Sequence, residues 1–128
     1  MIFGTGIDSI EVERIKNAIE TYGEQFLKRI YSEEEVAYCN WKPNSYEHFA
    51  ARFAAKEAFS KALGTGWRRG FLWREVSVRN LRTGQPFIHL YPTMQERAEK
   101  LIGREYRIHV SLTHTKQMAE AIAMIELV

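Results

Sequence analysis

A chain of 128 residues, 45% apolar with its aromatics spread along its length, fits one domain (residues 1–128) with a modest core and argues against a multi-domain organisation. Its 18 basic and 16 acidic residues leave a formal charge of +2, too weak a field to gather nucleic acid or membrane, so an acidic partner must be met by a local patch. Cys39 is the only cysteine, which excludes an intrachain disulfide, and no apolar run approaches the roughly 20 residues of a membrane span. With Asp8, Glu11 and Glu13 interrupting any leader-like start, the expected compartment is the cytoplasm.

Residues 2–7 predict a short apolar strand. The pattern then turns helical, with Ile10, Ile15 and Ile19 repeating toward Tyr22, which puts Asp8 at a strand-to-helix junction. Gly23 ends that helix, a short helical piece covers 26–30, and Ser32 with Glu35 spells a capping box for a helix through about Trp41. Residues 42–45 break the chain. Residues 46–63, rich in Ala and Phe and free of Gly and Pro, predict a long helix that Gly64-Thr65-Gly66 stops. Residues 75–80 and 86–90 predict a hairpin about the Thr83-Gly84-Gln85 turn, and a helix follows from about 93 to 102. Residues 106–113 then alternate, with Tyr106, Ile108, Val110 and Leu112 on one face and Arg107, His109, Ser111 and Thr113 on the other. Residues 119–128 fit helix or strand by pattern alone. Their nearness to the preceding strand favours pairing through a turn at 114–117.

On a wheel of about 100° per residue, 49–63 separates into a sector of Ala51, Ala54, Ala55, Ala58, Phe59 and Ala62 and an opposite one with Arg52, Lys56, Glu57, Ser60 and Lys61. Phe49 and Phe53 sit in the middle of those charges. One account makes this an ordinary solvated face, with Glu57 and Lys61 as an i,i+4 ion pair. The other makes it a cleft wall, in which cations and a carboxylate flank an apolar floor suited to a phosphorylated ligand. Asp8 has the same two accounts. With Glu11 three residues on it is a serviceable N-cap. It is also a hard oxygen ligand for Mg²⁺, and Asp8 with Glu57 suffices beside substrate phosphates if the fold brings them together.

Gly4-Thr5-Gly6 lacks the third glycine of a dinucleotide-binding turn. His48, His89, His109 and His114 have no zinc-like spacing with each other or with Cys39, and His89 and His109 read as polar-face strand residues. His114 lies in the expected turn between Thr113 and Thr115, where a cation and two hydroxyls suit a phosphate; an exposed turn histidine with no ligand is the plainer account. The segment 66–74, GWRRGFLWR, mixes Trp67 and Trp73 with Arg68, Arg69 and Arg74. That composition suits nucleic-acid stacking, or a loop with an aromatic anchor.

Three segments point in one direction. GIDSIEVERI (6–15) resembles the GxD…R opening of the holo-acyl-carrier-protein synthases, FAAKEAFSKALGTG (53–66) resembles their KEA…K…GxG helix, and SLTHTKQMAEAIA (111–123) resembles their closing segment. Phe53 stands where many related transferases have Trp, and Thr113 where many have Ser. The resemblance implies an α+β fold, an antiparallel sheet packed against a long helix as in 4′-phosphopantetheinyl transferases, and a homotrimer with sites between subunits. It implies transfer of the 4′-phosphopantetheine arm from coenzyme A to a serine hydroxyl of apo-acyl-carrier protein, releasing adenosine 3′,5′-bisphosphate, in fatty acid biosynthesis. Asp8 and Glu57 would hold Mg²⁺, Glu57 would help remove the serine proton, directly or through a water, and Lys61 would stabilise the leaving phosphate. Arg52, His114 and Thr115 match positions that contact the adenosine 3′-phosphate, and Gly64 and Gly66 would let the backbone approach the nucleotide. Arg14, Lys28 and Arg29 form the expected patch for the acidic carrier protein. Lys56 is left without a role. Two rivals remain: a metal-dependent hydrolase of a CoA-like or nucleotide phosphoanhydride with water as acceptor, and a non-enzymatic nucleic-acid-binding module built on the Arg/Trp segment.

Overall fold

In the computed structural model, which describes residues 1–65 and 70–128, the chain runs β1 (Ile2–Glu11), α1 (Val12–Tyr22), α2 (Glu24–Ile30), α3 (Glu33–Trp41) and α4 (Ser45–Leu63). After a 3₁₀ turn at Trp73–Glu75 come β2 (Val76–Asn80), β3 (Pro86–Leu90), α5 (Pro92–Ile102), β4 (Tyr106–His114) and β5 (Met118–Leu127). Gly66, Trp67, Arg68 and Arg69 lie outside the described residues, and with them one expected nucleotide contact and much of the Arg/Trp segment. β1, β5 and β4 make an antiparallel sheet with β5 central, and β2 and β3 make a separate hairpin. The α+β architecture is the one the resemblance implies.

β1 is longer than the local pattern predicts. Residues 8–11 pair with 118–121 of β5, through Asp8↔Ala121, Ser9↔Glu120, Ile10↔Ala119 and Glu11↔Met118. That ladder outweighs the helical spacing of Ile10, which serves equally well as an inward strand residue at 8% exposure. Asp8 is therefore not an N-cap. The cap position of α1 is Glu11, without a side-chain cap bond, and the Val12 N–H donates to the Gln117 carbonyl at 2.8 Å. β5 settles the ambiguity of the last segment as strand, its buried Ala119, Ala121, Ala123 and Ile125 alternating toward the core. His114 is the last residue of β4, paired with Ala119, and not part of the turn.

α4 is the axis of the core and packs on β1 and β5. Every residue from 49 to 60 is buried, as are Ala62 and Leu63. The close approach of helix to strand depends on two glycines. A Cβ on Gly4 would lie 2.0 Å from the Ala62 carbonyl oxygen, and one on Gly6 would lie 1.9 Å from that of Ala58. Gly4-Thr5-Gly6 is thus a packing device, the strand-side counterpart of the alanines on α4.

The charged arc of α4 is neither a solvated face nor an open cleft. Its apolar middle is filled by the chain's own aromatics: Tyr31 meets Phe49 edge-on at 4.9 Å between ring centroids, and Trp73 stacks on Phe53 at 5.4 Å. Trp73 also meets Phe71 edge-on, which makes the described end of the Arg/Trp segment an aromatic anchor. Beneath these rings Lys56 forms a wholly buried ion pair with Glu35, Nζ to Oε1 2.6 Å. The capping box at Ser32 and Glu35 is present in both directions.

Candidate functional site

The pleat of β1 places Gly4, Gly6, Asp8 and Ile10 on its helix-facing side. Because Gly6 is pressed against Ala58 and the Cβ of Lys61, Asp8, two residues on, arrives beside the next charged positions of α4. Lys61 Nζ lies 3.4 Å from Asp8 Oδ1 and donates to the Ile7 carbonyl at 2.9 Å. Lys61 thus turns to Asp8, and no Glu57–Lys61 ion pair is found among the described residues. Glu57 is 6% exposed. Burial, then the Asp8 charge, pushes its carboxyl up to about 7, with Lys61 opposing. Two carboxylates and an ammonium thus meet at one edge of the helix. Asp8, Glu57 and Lys61 are brought together by tertiary contacts and not by the helix alone.

Arg52 is carried on the other flank of α4. Lys61 is nine positions later, which at about 100° and 1.5 Å per residue is about half a circle round and about 13 Å along the axis. Arg52 is 2% exposed, donates from Nη2 to Asn80 Oδ1 at 2.6 Å, and lies 4.1 Å above the centroid of the Tyr38 ring. Its Nε is buried without a hydrogen-bond partner among the described residues. His114 reaches the first turn of α4, its Nδ1 3.0 Å from Glu47 Oε1, and meets His48 edge-on at 4.8 Å. His48 also packs against Tyr38 at 5.7 Å. Burial lowers His48 to about 4, helped by the neighbouring His114, Arg52 and Lys42 and opposed by Glu47. Sequence reasoning passed over His48. Its signal was its place four residues before Arg52, on the same helix face.

Thr115 is committed to the β4–β5 turn, where its hydroxyl accepts from the Met118 N–H at 3.1 Å and the Gln117 N–H at 3.3 Å. Gly64 closes α4 in the left-handed region (φ 85°), where its N–H donates to the Lys61 carbonyl at 3.0 Å. An added Cβ there would meet nothing among the described residues, so the backbone conformation is what requires glycine. Gly66 falls outside the described residues. Arg14 on α1 and Lys28 and Arg29 on α2 are exposed, with Lys28 paired to Glu24 at 3.5 Å. The described residues hold no cluster of three or more His, Cys, Asp or Glu suited to a metal, so any dication at Asp8 and Glu57 must draw its other ligands from substrate or water.

Residues 4–122 match the model of the 4′-phosphopantetheinyl transferase superfamily. A holo-[acyl-carrier-protein] synthase of Solibacter usitatus is 49% identical over 126 residues, covering 98% of this chain and 99% of its own. The crystal structure of the Neisseria meningitidis holo-[acyl-carrier-protein] synthase matches with a TM-score of 0.89 at 30% identity, over 98% of this chain and 99% of that one. The Bacillus anthracis holo-(acyl-carrier-protein) synthase, solved in complex with CoA (3′,5′-ADP), matches with a TM-score of 0.81 at 33% identity, over 100% and 99% of the two chains. Fold, length and sequence agree along almost the whole chain: it belongs to the 4′-phosphopantetheinyl transferase superfamily, among the holo-[acyl-carrier-protein] synthases.

Proposed function

We propose that this chain transfers the 4′-phosphopantetheine arm of coenzyme A to a serine hydroxyl of apo-acyl-carrier protein, releasing adenosine 3′,5′-bisphosphate, in the cytoplasm and in the service of fatty acid biosynthesis. The observation that carries this is the meeting of Asp8, Glu57 and Lys61 at one edge of α4, with Glu57 tuned to about 7. The Bacillus anthracis relative, solved with CoA (3′,5′-ADP), supports the substrate. In the reaction the serine oxygen forms a new bond to the β-phosphorus as the pyrophosphate P–O bond breaks, and the electron pair leaves on the α-phosphate oxygen. Glu57, as the carboxylate, takes the serine proton directly or through a water; a group near pH 7 suits that task. Lys61, half exposed beside Asp8, meets the charge growing on the leaving phosphate.

Asp8 and Glu57 are the residues that would hold Mg²⁺. Burial raises the Glu57 carboxyl most and repulsion from Asp8 adds to it; a hard dication relieves that repulsion, and one or two carboxylates are its usual protein share beside phosphates. When bound, the ion offsets phosphate charge and polarises the phosphorus. Arg52, His114 and Thr115, with Gly64 and Gly66, are the proposed nucleotide contacts, and Arg14, Lys28 and Arg29 the carrier-protein contacts.

A homotrimer completes the site. Arg52 and His114 occupy one flank of α4 and Asp8, Glu57 and Lys61 the other, so one subunit's cations complement another's carboxylates. The outer face of the sheet pairs Ile7, 67% exposed, with Ile122, 43% exposed, an apolar patch suited to subunit contact.

Mass spectrometry of apo-carrier protein incubated with CoA and Mg²⁺ tests the proposal. The carrier is expected to gain the mass of one phosphopantetheinyl group. CoA cleavage with an unmodified carrier would support the hydrolase instead, and inertness toward CoA across several carriers would sink the transferase.

A further inference from the structure

Lys56 takes no part in that chemistry, yet it is among the most constrained groups in the molecule. It is 0% exposed, and it donates to Glu35 Oε1 at 2.6 Å, to the Trp73 carbonyl at 3.0 Å and to the Val76 carbonyl. Those three bonds use every proton of the ammonium. Glu35 is equally occupied: Oε1 also accepts the Ser32 N–H at 2.9 Å, and Oε2 accepts the Val78 N–H at 2.9 Å. One ion pair therefore ties the cap of α3, the 3₁₀ turn, β2 and the middle of α4 to a common point. A buried pair of this kind is a poor source of net stability, since apolar residues of similar volume often do as well. What it supplies is direction, because each bond fixes an angle as well as a distance.

α4 is held against two stops. Gly4 and Gly6 bring β1 against the Ala58 and Ala62 carbonyls with no room for a methyl group, and Lys56 anchors another side of the helix to α3 and β2. Glu57 follows Lys56 directly, about 100° further round the same helix. We propose that Glu35 and Lys56 are positioning residues for the transferase site, which set the rotation and height of α4 and so the aim of the Glu57 carboxylate beside Asp8. The proposal rests on the transferase function argued above. A displacement of about 1 Å at a reacting group can cost about 10²-fold in rate, so the fixing of α4 bears directly on turnover.

The test is the double variant Glu35→Gln/Lys56→Met, which removes both charges together and leaves no unpaired buried ion. Its thermal midpoint is expected to stay within a few degrees of the wild type. Its kcat should fall by at least about tenfold, while KM for the carrier protein changes by less than about threefold, because the residues assigned to bind the carrier lie on α1 and α2. Glu35→Gln alone, which keeps shape and one acceptor, should lose kcat in the same direction. A folded double variant with wild-type kcat would overturn the proposal, and so would a loss confined to KM. Loss of the fold in both variants would make the pair purely structural and overturn it equally. Failure of the wild type to modify any apo-carrier protein would strike the transferase function itself, an outcome these variants do not touch.

Discussion

Glu57 owes its raised carboxyl first to burial and then to the Asp8 charge, neither of which a local pattern announces. Its carboxyl, raised in the folded chain from 4.5 to about 7, is favoured there in the protonated form. Folding is therefore unpenalised by this group below about pH 4.5 and loses stability as pH rises through 7, where the charge must sit beside Asp8. Glu57→Gln should accordingly unfold at a higher temperature than the wild type at about pH 8 in metal-free buffer, the difference vanishing near pH 4.5, while its turnover falls by about 10² or more. A variant that keeps wild-type turnover would remove Glu57 from the chemistry. The wild-type rate should climb through about pH 7, and added Mg²⁺ should move that midpoint down, since a dication favours the carboxylate. His48 runs the other way. Lowered from 6.5 to about 4, it is neutral when folded, and unfolding lets it take a proton as pH falls below 6.5, so its contribution erodes toward pH 4. His48→Gln should resist acid better than the wild type between about pH 4 and 6 and match it near 7.5, as acid-unfolding curves would show.

The elements show where local sequence sufficed and where it did not. The hairpin, the alternation of β4 and the capping box at Ser32 and Glu35 are fixed by neighbours in the chain, and each is found where the pattern puts it. The end of β1 was hidden, because residues 8–11 become strand only by pairing with a segment more than a hundred positions away. α4 was half legible: its helical state was plain, its burial was not, since Tyr31 and Trp73 come from distant segments to cover its charged arc. Glu35 declared its cap and concealed its ion pair with a residue 21 positions on. The glycines of β1 invite one further measurement. Gly6→Ala would press a methyl group into the Ala58 carbonyl, and denaturant unfolding should register a loss of about 3 kcal/mol together with reduced turnover. Unchanged stability would mean that strand and helix separate more easily than their contact suggests.

At the scale of the molecule the sequence was legible chiefly through resemblance, because motifs at both ends and in the middle could be matched while their spatial meeting could not be derived. The nine-residue spacing of Arg52 and Lys61 already turns them to nearly opposite directions at about 100° per residue; what the spacing did not show is that the arc between them is buried. The proposed trimer makes the sheet's outer face decisive. Ile7→Lys with Ile122→Lys places charge on two exposed positions, so circular dichroism should be unchanged while sedimentation shifts to the monomer and transfer is lost. An active monomer would show that one chain holds a complete site.

The rotation of α4 also bears on how such a chain can change over time. Between Arg52 and Lys61 the helix works like a camshaft, the lobes proposed for anion binding and proton handling and the Lys56 anchor cut at set angles on one rod. A single inserted or deleted residue in that interval would turn every later lobe by about 100° relative to the earlier ones, pulling Lys61 from Asp8 and forcing a side chain against the glycines of β1. The exposed turn at 81–85 carries no such phase. An insertion or deletion is therefore expected to be tolerated in that turn and, between 52 and 61, to abolish transfer.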